Sequence, residues 1–202
     1  MAATQIEYEK IPTTVTNMND ASKEMGQNIK EAYDIVRDMQ NHTWHGTRYR
    51  DFTVFFNGFI EEPFLRIMTY LVVTIPEWMR DWDMKIANFE NRAPRSIPVE
   101  KVILVEPIVN QDKPGLFIDP VRVETGKEDV IKCLENVVSI LPRYIASVND
   151  LNWEGPTASA FNDTMIESKA KLEETIKEIQ TTFNKEVQAT LEDRTTLESG
   201  NI

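Results

Sequence analysis

Two stretches of this 202-residue chain repeat apolar side chains every three and four residues, a spacing that permits little besides long amphipathic helices. Val15, Met18, Met25, Ile29, Ala32, Val36 and Met39 keep one heptad register, interrupted only by Ser22. Val130, Leu134, Val137, Leu141, Tyr144, Val148 and Leu151 keep a second. Asp20, Lys23, Glu31, Asp34 and Arg37 fall between the apolar positions of the first seam, so one stripe is buried and the opposite face is solvated. The methionines of that seam sit at core positions and read as core. Two further helices follow from Phe161, Met165, Leu172, Ile176, Ile179, Phe183 and Val187, which share one face, and from an aromatic stretch between Gly46 and Phe89. With only seven glycines in the chain, long continuous elements are expected over tight turns.

Punctuation sets the expected boundaries. Thr125 and Glu128 form a Thr-x-x-Glu pattern that predicts a capping box at the start of the third helix. Pro142 lies inside that helix and predicts a kink. Pro63 and Pro76 interrupt the second helix, with Pro76 its expected end and a short extra helix from about residue 77 to 91. Between the halves, residues 92–124 contain Pro94, Pro98, Pro107, Pro114 and Pro120. The runs 99–105 and 116–123 flank Lys113-Pro114-Gly115 and predict a small β-hairpin within this linker. Residues 1–12 and 191–202 lack an apolar period and are expected to be flexible ends.

Each heptad helix is followed by the same short signature. Trp44-His45-Gly46 follows the first and Trp153-Glu154-Gly155 the third, and an aromatic stands eight residues after each Trp, at Phe52 and Phe161. Glycine reaches backbone conformations that a tight helix reversal needs, while an indole covers the open end of a hairpin seam. Pro156 suits the first position of the following helix. Aligned on the Trp, Met25 coincides with Leu134, Ala32 with Leu141, Val36 with Ile145 and Met39 with Val148, so the chain reads as a tandem repeat, 13–91 and 125–190.

Paired helices joined by Trp-x-Gly, with an aromatic on the second helix, resemble the WXG family, the small hairpin proteins of bacterial type VII (Esx-type) secretion. The resemblance covers about residues 15–89 and 125–190 and leaves the linker outside it. It implies an all-α fold in which two hairpins form an antiparallel four-helix bundle, a monomer that mimics the family's dimer, or a homodimer of such chains. It implies a secretion substrate, or an adaptor or chaperone for one, that binds through helix surfaces. Its partners would be the secretion ATPase or a co-secreted helical protein. Trp44, Gly46, Phe52, Trp153, Gly155 and Phe161 are then the turn and recognition residues. The family's export signal, Tyr followed four residues later by Asp or Glu, is found in neither half, since the last tyrosine is Tyr144. That departure keeps a second reading open, a non-secreted structural or scaffold protein of a phage or a cytosolic assembly.

Composition points the same way. A net charge of −11 opposes nucleic acid and anionic lipid, both of which need clustered Lys or Arg. The most apolar segment, 64–75, is shorter than the roughly 20 residues of a membrane span and contains Arg66. The N-terminal residues lack the basic start and apolar run of a secretory signal, so export without a cleavable signal, or a cytoplasmic location, is expected. The lone Cys133 reads as a small buried hydrophobe. His42 and His45, with Asp38 a turn earlier, have metal-ligand residue types but are read as ordinary surface histidines. The pairs Glu61-Glu62, Asp81 with Asp83, and Glu173-Glu174 are read as solvated faces. No phosphate loop, Cys-x-x-Cys pair or nucleophile with a base is assembled by spacing, so the expectation is a binding protein without catalytic residues, metal or cofactor.

Overall fold

A computed structural model describes residues 6–101, 105–111, 113 and 115–200. The described residues are mostly helical, with one small antiparallel sheet among them. A 3-10 turn at Tyr8–Lys10 leads into α1 (Ile11–His42), which ends before the short strand β1 (Trp44–His45). A helical run from 47 to 90 follows, made of α2 (Thr47–Phe59), α3 (Leu65–Thr69) and α4 (Ile75–Glu90) joined through π segments at Ile60–Phe64 and Tyr70–Thr74. After the linker come β2 (Phe117–Ile118), α5 (Pro120–Asn149) and α6 (Pro156–Glu198).

Pro76 does not end the second helix, and no separate helix begins at residue 77. A proline in a regular α-helix loses its N–H bond and drives its ring into the carbonyl four residues back. Each π segment widens the backbone where that conflict would fall. One contains Pro63 and the other immediately precedes Ile75-Pro76, where the Ile75 N–H donates to the Tyr70 carbonyl five residues earlier. The run stops at Glu90, with Asn91 in the left-handed region at φ 54°. Helix α5 continues unbroken past Pro142.

Three further expectations are corrected. The third helix starts at Pro120, capped by Asp119, whose Oδ1 accepts from the Arg122 N–H at 3.2 Å. Thr125 lies inside this helix, with its hydroxyl donating to the Val121 carbonyl. Among the described residues the linker does not pair on itself as a hairpin. Phe117 and Ile118 pair instead with His45 and Trp44 of the first turn, residues 120–123 are helical, and the described part of 99–105 is not a strand, residues 102–104 lying outside the described residues. Helix α6 continues to Glu198, and Ile6 and Tyr8 pack against the core, so the ordered part of the chain reaches beyond 13–190.

Helix α1 lies antiparallel to α5. Glu7 donates its N–H to the Leu151 carbonyl at 2.8 Å, Arg143 pairs with Glu24, the Asn136 amide meets Asn28 at 3.1 Å, and Gly126 faces Met39 near the far end. The 47–90 run lies antiparallel to α6. Arg48 pairs with Asp193 at 3.1 Å, Phe52 meets Phe183 with ring centroids 4.6 Å apart, and Trp78 meets Trp153. The buried seam residues of α1 and α5 form one continuous core with Phe52, Phe56, Phe64 and Leu71 from the second run and with Phe161, Leu172, Ile179 and Phe183 from α6.

The linker returns along this assembly beside α1 and the 47–90 run. Its start is fixed by Asp83, which is fully buried and so does not belong to a solvated face. Asp83 accepts from the Arg92 guanidinium at 2.8 Å and from the Arg95 N–H at 2.7 Å, while the Arg95 guanidinium reaches the Tyr8 carbonyl. Further along, Asn19 donates to the Pro98 carbonyl, Arg37 to Glu106 and Gln40 to Gln111. Asn57 holds Ile108 at both backbone groups, its Nδ2 donating to the carbonyl at 3.1 Å and its Oδ1 accepting from the N–H at 3.0 Å. The Asp119 N–H closes the strap on the Thr43 carbonyl at 2.7 Å.

Candidate functional site

The six turn residues fall into two groups. At the first turn, Gly46 has φ 123° and ψ −172°, a conformation open in practice to glycine alone. It aims the chain from α1 back into α2. Trp44 is 0% exposed. Its indole stacks on Phe52 at 5.8 Å, meets Tyr49 edge-on at 5.5 Å and crosses to Phe183 of α6 at 5.4 Å. The indole N–H donates to the Thr190 hydroxyl at 3.1 Å, and that hydroxyl donates to the Glu186 carbonyl at 2.7 Å. The Tyr49 hydroxyl donates to the Val36 carbonyl at 2.8 Å, and burial pushes its titration upward. Strand β2 covers the outer side, where Phe117 stacks on His45 at 5.5 Å.

The second turn repeats the geometry with different covering. Gly155 has φ 115° and ψ −179°. Trp153 meets Phe161, eight residues on, at 5.9 Å, and crosses to Trp78 at 4.7 Å and Trp82 at 6.3 Å. Each Trp thus touches the aromatic of its own hairpin and the last helical segment of the other. The chain just before α1 lies on this turn as β2 lies on the first: Glu7 bonds Leu151, and Asn152 bonds the Glu7 carboxylate. Unlike Trp44, Trp153 is only partly buried, and its buried Nε1 has no acceptor among the described residues. Trp78 and Trp82 are partly exposed beside it.

Sequence reasoning singled out neither Trp78 and Trp82 as part of the second turn nor Phe183 and Thr190 as part of the first. The signal available was their matched depth along the second and fourth helices, which becomes readable once the two pairs are antiparallel. The histidines do not converge. His42 Nδ1 lies 3.1 Å from Asp38, whereas His45 sits on Phe117, with its titration lowered by partial burial and by the nearby Lys113 charge. Among the described residues no group of three or more His, Cys, Asp or Glu is placed to hold a metal. Cys133 is buried, and burial together with Glu31 and Asp129 raises its thiol titration.

What the two turns present is aromatic contact area, sealed at Trp44 and partly open at Trp153, Trp78 and Trp82. No described helix is long and apolar enough to cross a membrane. Comparison of the chain with protein-family models, with curated proteins and with solved structures returns no match.

Proposed function

We propose that this chain is a non-enzymatic helical binding protein of the WXG type, a substrate or an adaptor of a type VII secretion system. In this reading its two Trp-x-Gly hairpins form one antiparallel four-helix bundle, so that a single chain takes the place of the family's two. The observation that carries the reading is the doubled turn. Both glycines share a positive-φ, extended-ψ conformation, both indoles contact the aromatic eight residues on, and both cross to the opposite hairpin. The partners are the secretion ATPase or a co-secreted helical protein, met through helix surfaces and the partly open Trp153 turn. The test is expression in bacteria with an intact type VII system and in the same strain lacking its ATPase. Appearance in the culture supernatant of the first strain alone is expected. Retention inside both strains rejects the secretion reading.

A second reading, a non-secreted scaffold protein with the same hairpins, is favoured by the missing Tyr-x-x-x-Asp/Glu pattern. It predicts retention in both strains together with recovery in a stable intracellular assembly.

A further inference from the structure

The 47–90 run and α6 line an open trough between them. Aromatic pairs flank it, Phe52 with Phe183 toward one end and, toward the other, Trp78 with Trp153, which in turn meets Phe161. On the α6 side Thr164, Ser168 and Thr175 line it together with Glu167 and Lys171. The trough has a volume of about 1120 Å³ and extends from Gly58 to Thr74. That stretch of helix is about 24 Å long at 1.5 Å per residue, the length of some four helical turns.

One wall is an apolar stripe. Phe59, Pro63, Ile67 and Tyr70 follow one another at helical spacing, each only partly buried, on a wall that includes both π segments. The two widened turns re-aim side chains within one helix, a local irregularity concentrated at functional surfaces. Thr175, beneath the floor, is 0% exposed, with no hydrogen-bond partner for its hydroxyl among the described residues.

The rims carry charge. Glu61 and Glu62 stand on one side and Glu167 on the other, all exposed and none in an ion pair among the described residues. Lys171 on the α6 rim is neutralised by Glu174 at 2.8 Å, leaving Arg66 as the opposing cation. The trough is therefore apolar inside with a net acidic border. A fatty acyl chain would bring its own carboxylate to that border, and nucleic acid its phosphates, so both meet like charge.

We propose that this trough is a docking site for a basic amphipathic helix of a partner protein, its apolar face on Phe59, Pro63, Ile67 and Tyr70 and its Lys or Arg residues at Glu61, Glu62 and Glu167. This rests on the reading of the chain as a helix-binding protein and not on its export, so binding in solution tests the trough alone while the supernatant experiment tests secretion. A partner helix in a groove is a recurrent recognition mode, read through anchors at three- and four-residue spacing.

The probe is a fluorescent 16-residue peptide of leucine and lysine with the leucines on one helical face, paired with the same peptide carrying glutamate for lysine. Anisotropy titration of the full chain should give saturable one-to-one binding of the lysine peptide and at least about tenfold weaker binding of the glutamate peptide. The variant Glu61→Gln/Glu62→Gln/Glu167→Gln, all exposed positions, should weaken the lysine peptide by about tenfold. Ser168→Phe, which fills the trough, should abolish binding with a helical circular-dichroism spectrum retained. Glu128→Gln/Asp129→Asn/Glu135→Gln, which removes as many exposed acids from α5, should leave affinity within about twofold. Equal weakening by the α5 variant would mean diffuse attraction to an acidic chain and would overturn the proposal. So would full binding by the rim variant, or displacement of the peptide by dodecanoate.

Discussion

Replacing Trp44 with alanine tests whether the first turn is a structural seal. The side chain is fully buried, contacts three aromatic rings and uses its only polar group in a bond to Thr190. Removing an indole takes away on the order of 150–200 Å² of buried apolar area, about 4–5 kcal/mol at 25 cal/mol per Å², an upper figure because unfolded chains bury some of that area themselves. The cavity left between α2 and α6 adds to the loss and local collapse subtracts, which returns a net cost of about 3–5 kcal/mol. The Thr190 hydroxyl keeps its bond to Glu186, so the lost indole bond contributes little beyond this. Urea unfolding followed by circular dichroism should show that decrease with an unchanged slope, and a melting point lower by about 10–15 °C for a chain of this size. Trp44→Phe should cost less, about 1–3 kcal/mol, because a ring still fills most of the space. Trp153→Ala, at a partly exposed position, should cost about half as much as Trp44→Ala. A loss below about 1.5 kcal/mol for Trp44→Ala, or equal losses at the two turns, would refute the argument that one turn is sealed and the other open.

Gly46→Ala and Gly155→Ala should each destabilise by about 1–3 kcal/mol by the same assay, because alanine does not tolerate φ near 120° with extended ψ. Asp83→Asn should destabilise by about 2–3 kcal/mol near neutral pH. Burial alone would raise the Asp83 carboxyl, but bonds from Arg92 and from the Arg95 N–H outweigh it and hold the group below its usual range. A depressed carboxyl contributes its full stability above the unfolded value of about 3.9 and loses it as pH falls through the folded value, so the gap between wild type and variant should be constant above about pH 5 and shrink below pH 4. Asn57→Ala should release the middle of the strap, raising amide hydrogen exchange at Ile108 by about tenfold while global stability falls by only about 1–2 kcal/mol.

The seams were legible because they obey a simple period: every apolar residue named in the two heptad registers is buried. The glycine of each turn was legible because its backbone requirement is local. The helix ends were less so, since the competing signals were all plausible in isolation. Thr125 and Glu128 make a good capping box on paper, yet Asp119-Pro120 supplies both a cap and a preset first-turn φ, and the extra turn of helix buries Val123. Pro76 looked like a terminator because the rule assumes a regular helix, and a π segment removes that assumption. Strand β2 has strand-like residues, but its partners Trp44 and His45 lie 74 and 72 positions away, and no local rule names such partners. Asp83 resembled any acidic residue on a charged helix until Arg92 and Arg95 were brought to it by the turn after Glu90. The order of the linker was inferable in one respect. Two antiparallel hairpins with turns at opposite ends need a connection that travels their full length, and the strap does so from Asp83 to Thr43.

That opposition of the two turns is the core of the account, because it places the two hairpins antiparallel along one core. Spin labels at Thr47→Cys and Glu154→Cys, both exposed, in a Cys133→Ala background measure it directly by pulsed electron paramagnetic resonance in dilute solution. Helix α5 spans 30 residues, and at 1.5 Å per residue it separates the two ends by about 45 Å. A single distribution centred at about 40 Å or more is predicted, unchanged when labelled chains are diluted with unlabelled ones. A principal distance under roughly 20 Å would put both turns at one end and contradict the antiparallel arrangement.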